Sequence, residues 1–95
     1  AAEVERANRK HGRTFPGGVG LCARREDVEA MLRAKDACDA AAANGGASLR
    51  LVLAEEVAEA FAEPAGSPEQ ARELCEVAAV AVRGMLVIGS EVQGG

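Results

Sequence analysis

Apolar and polar positions along this chain alternate in a way that separates an irregular first quarter from three helical segments. From about Arg24 to Ala43, Val28, Met31, Leu32, Cys38 and Ala42 share one stripe at helical spacing, and Asn44-Gly45-Gly46 supplies residues that tolerate a left-handed helix stop. Lys35 falls inside that stripe, which reads as a side chain that lays its methylenes on the core and carries its charge out to water, with a phosphate contact as the alternative. Ser48 is a good N-cap for a second helix, whose inward face is Leu49, Val52, Leu53, Val57, Ala60 and Phe61, and Pro64 with Gly66 ends it. The third helix starts at Ser67-Pro68-Glu69-Gln70, with Ser as N-cap, Pro at the first helical position and Gln placed to close a capping box. Its stripe is Leu74, Val77, Ala78, Ala81, Met85 and Ile88, but Val80, Val82 and Val87 carry the apolar surface around most of the helix, and Gly89 reads as its stop. Such a helix must be covered on more than one side, and a second copy of the chain is the natural cover.

Residues 1–23 lack helical periodicity and run into Phe15-Pro16-Gly17-Gly18-Val19-Gly20, so they read as an irregular arm ahead of a helical core at 24–89, the whole 1–95 making one domain. The glycine stretch lacks the Lys-Ser/Thr of a phosphate-binding loop. Composition supports an all-α fold: hydrophobic residues make up 48% of the 95 residues, yet the aromatics are Phe15 and Phe61 alone, so the apolar content is mainly Ala, Val and Leu. A chain this short builds a thin core, which makes help from a partner subunit or a bound ion more valuable.

Charge changes the picture by its distribution. The net is −4, but the first 25 residues set six cations (Arg6, Arg9, Lys10, Arg13, Arg24, Arg25) against Glu3 and Glu5, and the remainder is strongly acidic. An acidic body is the wrong surface for a nucleic-acid backbone. The three cysteines, Cys22, Cys38 and Cys75, are widely spaced and odd in number, which favours reduced thiols over a disulfide framework or a zinc site. The run from Val77 to Val82 is too short to span a bilayer, so no membrane association is expected and the predicted location is the cytoplasm.

Candidate chemistry lies in the carboxylates. Glu56 interrupts the apolar face of the second predicted helix, and Glu59 lies three residues on; Glu73 and Glu76 repeat that spacing on the third helix, so each pair shares one side of its helix. A short linker around Gly66 folds the two helices into an antiparallel hairpin that sets Glu56 level with Glu76 and Glu59 level with Glu73. Four carboxylates at one place repel and raise one another's pKa unless a cation neutralises them. Hard oxygen ligands without His or thiolate select Mg²⁺, Mn²⁺ or Ca²⁺ over zinc or copper.

Glu55-Glu56-Val57-Ala58-Glu59, followed by Glu73-Leu74-Cys75-Glu76, resembles the EExxE and ExxD signature of the all-alpha, MazG-like nucleoside triphosphate pyrophosphohydrolases, and the resemblance extends over roughly Leu49 to Val82. It implies an antiparallel helical bundle completed by dimerisation, as a homodimer or a dimer of dimers. It also implies Mg²⁺, or Mn²⁺ as substitute, held by Glu56, Glu59, Glu73 and Glu76, with Glu55 as an accessory ligand or the group that positions water. The implied reaction is hydrolysis of a nucleoside triphosphate to the monophosphate and pyrophosphate, with Lys35, Arg50 or Arg72 as candidate phosphate contacts. Glu76 departs from the family pattern, which prefers Asp there, and few groups suit stacking on a base. These departures motivate the alternative of a catalytically degenerate MazG-like dimer that binds a nucleotide or a protein.

Overall fold

Local signals place most of the helices. The structure, a computed structural model, describes residues 2–11 and 15–94, without the side chains of residues 2, 7, 8, 10, 11 and 91–94. Helix α1 spans Ala2–His11, α2 Arg25–Ala43, α3 Leu49–Ala62 and α4 Pro68–Gly94, and among the described residues there is no strand. The expected irregular arm is therefore helical over its first part. Its segment has no apolar stripe, but it is made mostly of good helix formers and carries Glu3 and Glu5 in the first turn, where acids complement the helix dipole.

At the start of α2 the Asp27 carboxylate accepts from the Arg24 backbone N–H at 3.0 Å and from Arg24 Nε at 3.2 Å. At its end the Gly46 N–H donates to the Ala41 carbonyl at 2.9 Å, with Gly45 and Gly46 both at positive φ. Ser48 Oγ caps α3 by accepting from the Leu51 N–H at 3.2 Å, as its sequence position predicts. Helix α4 does not stop at Gly89. A helical glycine costs only about 1 kcal/mol relative to Ala, and no proline follows to end the helix.

The capping box before α4 forms by half. Ser67 Oγ accepts from the Gln70 N–H at 3.0 Å, but the Gln70 side chain does not return to Ser67. Its Oε1 accepts from the Gly66 N–H at 2.7 Å, and its Nε2 donates to the Ala60 carbonyl and to Cys22 Sγ, each at 3.1 Å. Gln70 is only 2% exposed. One amide thus ties the end of α3, the turn and the segment before α2 together, and the Ala23 N–H adds a bond of 2.9 Å to the Phe61 carbonyl.

Among the described residues, α3 packs against both α2 and α4, while α2 and α4 do not touch. The arrangement is one layer of helices, 18 Å through its thinnest dimension. Cys38 and Ala60 are the buried apolar side chains of the described part. On α2 the shielded apolar positions are Ala30, Met31, Ala34, Cys38 and Ala41, so Met31 and Cys38 of the expected stripe face inward while Val28, Leu32 and Ala42 are exposed; on α4 the side toward α3 is Gln70, Glu73, Val77, Val80 and Gly84, turned from the expected stripe. A Cβ at Gly84 would come within 2.6 Å of Leu49 Cδ2, so the absent side chain is what admits Leu49. This leaves Met85 and Leu86 about as exposed as surface residues, at 70% and 68%.

Replacing Gln70 by Ala removes all three side-chain bonds and strands the Ala60 carbonyl. A loss of about 2–3 kcal/mol is expected in urea unfolding at equilibrium; a change within about 0.5 kcal/mol would mean that the amide is not the tie described.

Candidate metal centre

On α3 the spacings 55/59 and 56/59 bring three carboxylates to one side of the helix. Glu55, Glu56 and Glu59, all half-buried, each offer an oxygen within 4.8 Å of the others. Opposed oxygens in a Mg²⁺ shell are about 4.2 Å apart, twice the usual bond length. The group is therefore near the spacing of a shared ion. Glu56 Oε2 is fully shielded from solvent and has no hydrogen-bond partner. A carboxylate oxygen in that state is costly unless a cation or a proton meets it.

The electrostatics agree. Burial pushes the Glu56 carboxyl above its ordinary value, and the charges of Glu73, Glu76 and Glu55 push in the same direction. Glu59 is raised from 4.5 to about 7, by burial first, then by the Glu56 charge and by hydrogen bonds with Glu73 and Glu55. Glu73 and Glu76 thus act across the hairpin on the two α3 acids with which the sequence register aligns them. Antiparallel packing of α3 on α4 follows from Leu49 meeting Gly84 at one end and the Ala60 carbonyl meeting Gln70 at the other.

The candidate residues do not all share one environment. Glu55, Glu56 and Glu59 form the close group. Glu73 is half-buried on the facing side of α4, whereas Glu76 is exposed and reaches the group through its charge. Lys35 points to the cluster from α2, with Nζ 3.5 Å from Glu59 Oε1. Arg50 is not brought to the carboxylates; it lines a shallow apolar surface with Leu53, Ala54, Val57 and Ala58 on another side of α3. Arg72 is exposed on α4, one turn before Glu76.

One neighbour of the site is not evident from the sequence reading, which assigns Cys38 to the core alone. Its thiol donates to the Leu51 carbonyl at 3.2 Å. The nearby Glu55 carboxylate, together with burial, pushes that thiol from 9.0 up to about 11. It therefore stays protonated at neutral pH and leaves the centre an all-oxygen one. The available signal is spacing: Cys38 follows Lys35 by three residues, so both lie on the α2 side that meets α3. Cys75 is exposed, because α4 turns Glu73 and Val77 toward α3.

What these residues can do together is hold a hard divalent cation, with α3 supplying the close oxygens and α4 supplying further negative charge. Compared with known proteins, the chain matches no family model, no curated protein and no solved structure.

The raised Glu59 value fixes a pH dependence. The folded chain holds this proton more tightly than the unfolded one does, so stability falls as pH rises from about 4.5 to about 7 and stays lower above. Asp27 is shifted the other way, and its contribution is lost only as pH falls through its lowered range. Metal-free protein is thus expected to melt at a higher temperature near about pH 5 than near about pH 8. Millimolar Mg²⁺ should reduce that difference by stabilising the ionised cluster at the higher pH. A melting temperature that rises steadily across this interval without metal would contradict the assigned Glu59 environment.

Proposed function

We propose that this protein is a Mg²⁺-dependent hydrolase of the MazG-like kind, which cleaves a nucleoside triphosphate to the monophosphate and pyrophosphate. The observation that carries this reading is the half-buried group of Glu55, Glu56 and Glu59, at near-coordination spacing and with an unpartnered Glu56 oxygen, on the helix whose sequence resembles the family's EExxE.

Glu56 and Glu59 of α3, with Glu73 and Glu76 of α4, hold the ion. When bound, Mg²⁺ (or Mn²⁺ in its place) supplies charge against the triphosphate oxygens and makes a bound water more acidic. Glu55 would orient an attacking water and accept its proton as the water oxygen adds to the α-phosphorus. The bond from that phosphorus to the bridging oxygen breaks, and pyrophosphate leaves. Lys35, already beside Glu59, is the best placed of the three candidate cations to meet phosphate oxygens.

The same reading includes a homodimer, or a dimer of dimers. Two features support it: the 18 Å layer, and an exposed surface of 7237 Å², where a compact folded chain of this mass exposes about 5,100 Å². Val82, Met85 and Leu86 form an exposed apolar stripe on the side of α4 away from Gly84, suited to a second copy. The exposure of Glu76, at the position where the family prefers Asp, favours a second reading: a relative that keeps the helical dimer and binds a nucleotide or a protein without turnover.

Incubation of the purified protein and Mg²⁺ with a panel of ordinary, deoxy and modified nucleoside triphosphates should yield pyrophosphate and a monophosphate. Glu56→Gln should reduce that yield to background while the helical circular dichroism is kept. Absence of product on every nucleotide, with Mg²⁺ bound, would leave the binding module. Met85→Asp is expected to give a monomer in light scattering at micromolar concentration; an unchanged oligomer would remove this stripe as the interface.

A further inference from the structure

The described residues contain three ion pairs, of which Arg24–Asp27 and Arg25–Glu29 lie within a few residues of each other at the start of α2. The third, Lys35–Glu59, joins two helices. It is also the point where positive charge meets the carboxylate group, with Lys35 Nζ 3.5 Å from Glu59 Oε1. We propose that the Lys35 ammonium is a tethered counter-ion of the carboxylate cluster, displaced into solvent when a divalent cation enters. This rests on the divalent-cation reading of the cluster given above.

The geometry favours exchange over coexistence. Glu59 is both the partner of Lys35, through Oε1, and one of the three carboxylates spaced for a shared ion. An ammonium group left beside that oxygen would sit within a few ångströms of a doubly charged ion, where like charges repel strongly in a half-buried setting. The Lys35 side chain is 50% exposed, and its flexible stem lets the charge swing into water while α2 stays in place. Leaving is easy because an exposed pair at 3.5 Å is a weak one. Staying is easy in the absence of a divalent ion, because the tether keeps the ammonium at high local concentration. A monovalent salt cation offers no greater charge than the ammonium it must replace, so the device favours divalent ions.

The chain contains two lysines, Lys10 and Lys35, which permits an internally referenced test. Limited acetylation followed by peptide mass spectrometry would give the Lys35/Lys10 labelling ratio in the full chain. Binding would be followed separately by loss of the free Mn²⁺ signal in electron paramagnetic resonance. With millimolar Mg²⁺ or Mn²⁺ the ratio should rise about two- to fivefold, the range of equilibrium held by an exposed ion pair. NaCl at matched ionic strength should leave it near its starting value. Lys35→Met, which keeps a good helix former, should bind Mn²⁺ more tightly than the unaltered chain, and Lys35→Arg should not. Bound Mn²⁺ with an unchanged labelling ratio, or equal Mn²⁺ affinity in Lys35→Met, overturns the counter-ion role alone. Failure of Mn²⁺ to bind at all overturns the divalent-cation reading, and the counter-ion role falls with it.

Discussion

Among the described residues the packing of α2 and α4 passes through α3, which has a neighbour on each side. A helix so placed has to shield two opposite strips, which leaves little surface for charge. Yet it carries Glu55, Glu56 and Glu59 on shielded positions. The surrounding helices are arranged around that conflict. Helix α2 brings one ammonium group and a thiol that remains protonated, while α4 adds two more carboxylates instead of relieving the repulsion. Stability alone does not favour such an arrangement, and a proton or a cation in the midst of these oxygens relieves the repulsion.

The hairpin that sets the carboxylates opposite one another is held at its closed end by polar contacts. Gln70 uses both amide hydrogens and its carbonyl oxygen on three different segments. At the other end Gly84 and Leu49 fix the approach by the absence of a side chain. The register of Glu56 and Glu59 against α4 is therefore set from outside the cluster, so that the acids are held near one another despite their charge.

Much of the architecture was legible from local chemistry. The starts of α3 and α4 and the end of α2 follow from Ser48, Ser67-Pro68 and Gly45-Gly46, whose side chains or backbone freedom act on their own neighbours. The alignment of the glutamate pairs was legible because a short turn leaves an antiparallel hairpin little choice of register. Helix α1 was missed because propensity and end charges form it without an apolar stripe. The facing side of α4 was mis-set because its contact is made by Gly84 and Glu73, which a hydrophobic pattern does not count, while Met85 and Ile88, which it does, stay exposed. The sequence shows Gln70 as a local cap only, since nothing near it in sequence reveals Cys22 as a partner. For the same reason the nearness of Cys38 to Glu55 required the packing of α2 on α3. Function lies beyond both: the glutamates and their resemblance were readable, but the ion, the nucleotide and the second copy belong to the proposal.

Because α2 meets α3 and α3 meets α4, with no contact between α2 and α4 among the described residues, both packed helix pairs join neighbours in the chain. That is the connectivity of a short solenoid, in which contacts close over small loops and assembly can spread from one interface to the next. Such a molecule should fold fast and fray from its flanks, with α3 as the last segment to give up its amide protection. The cluster would then be dismantled in stages: departure of α2 takes Lys35 and Cys38, departure of α4 takes Glu73 and Glu76, and each partial opening leaves the α3 acids with a different set of companions.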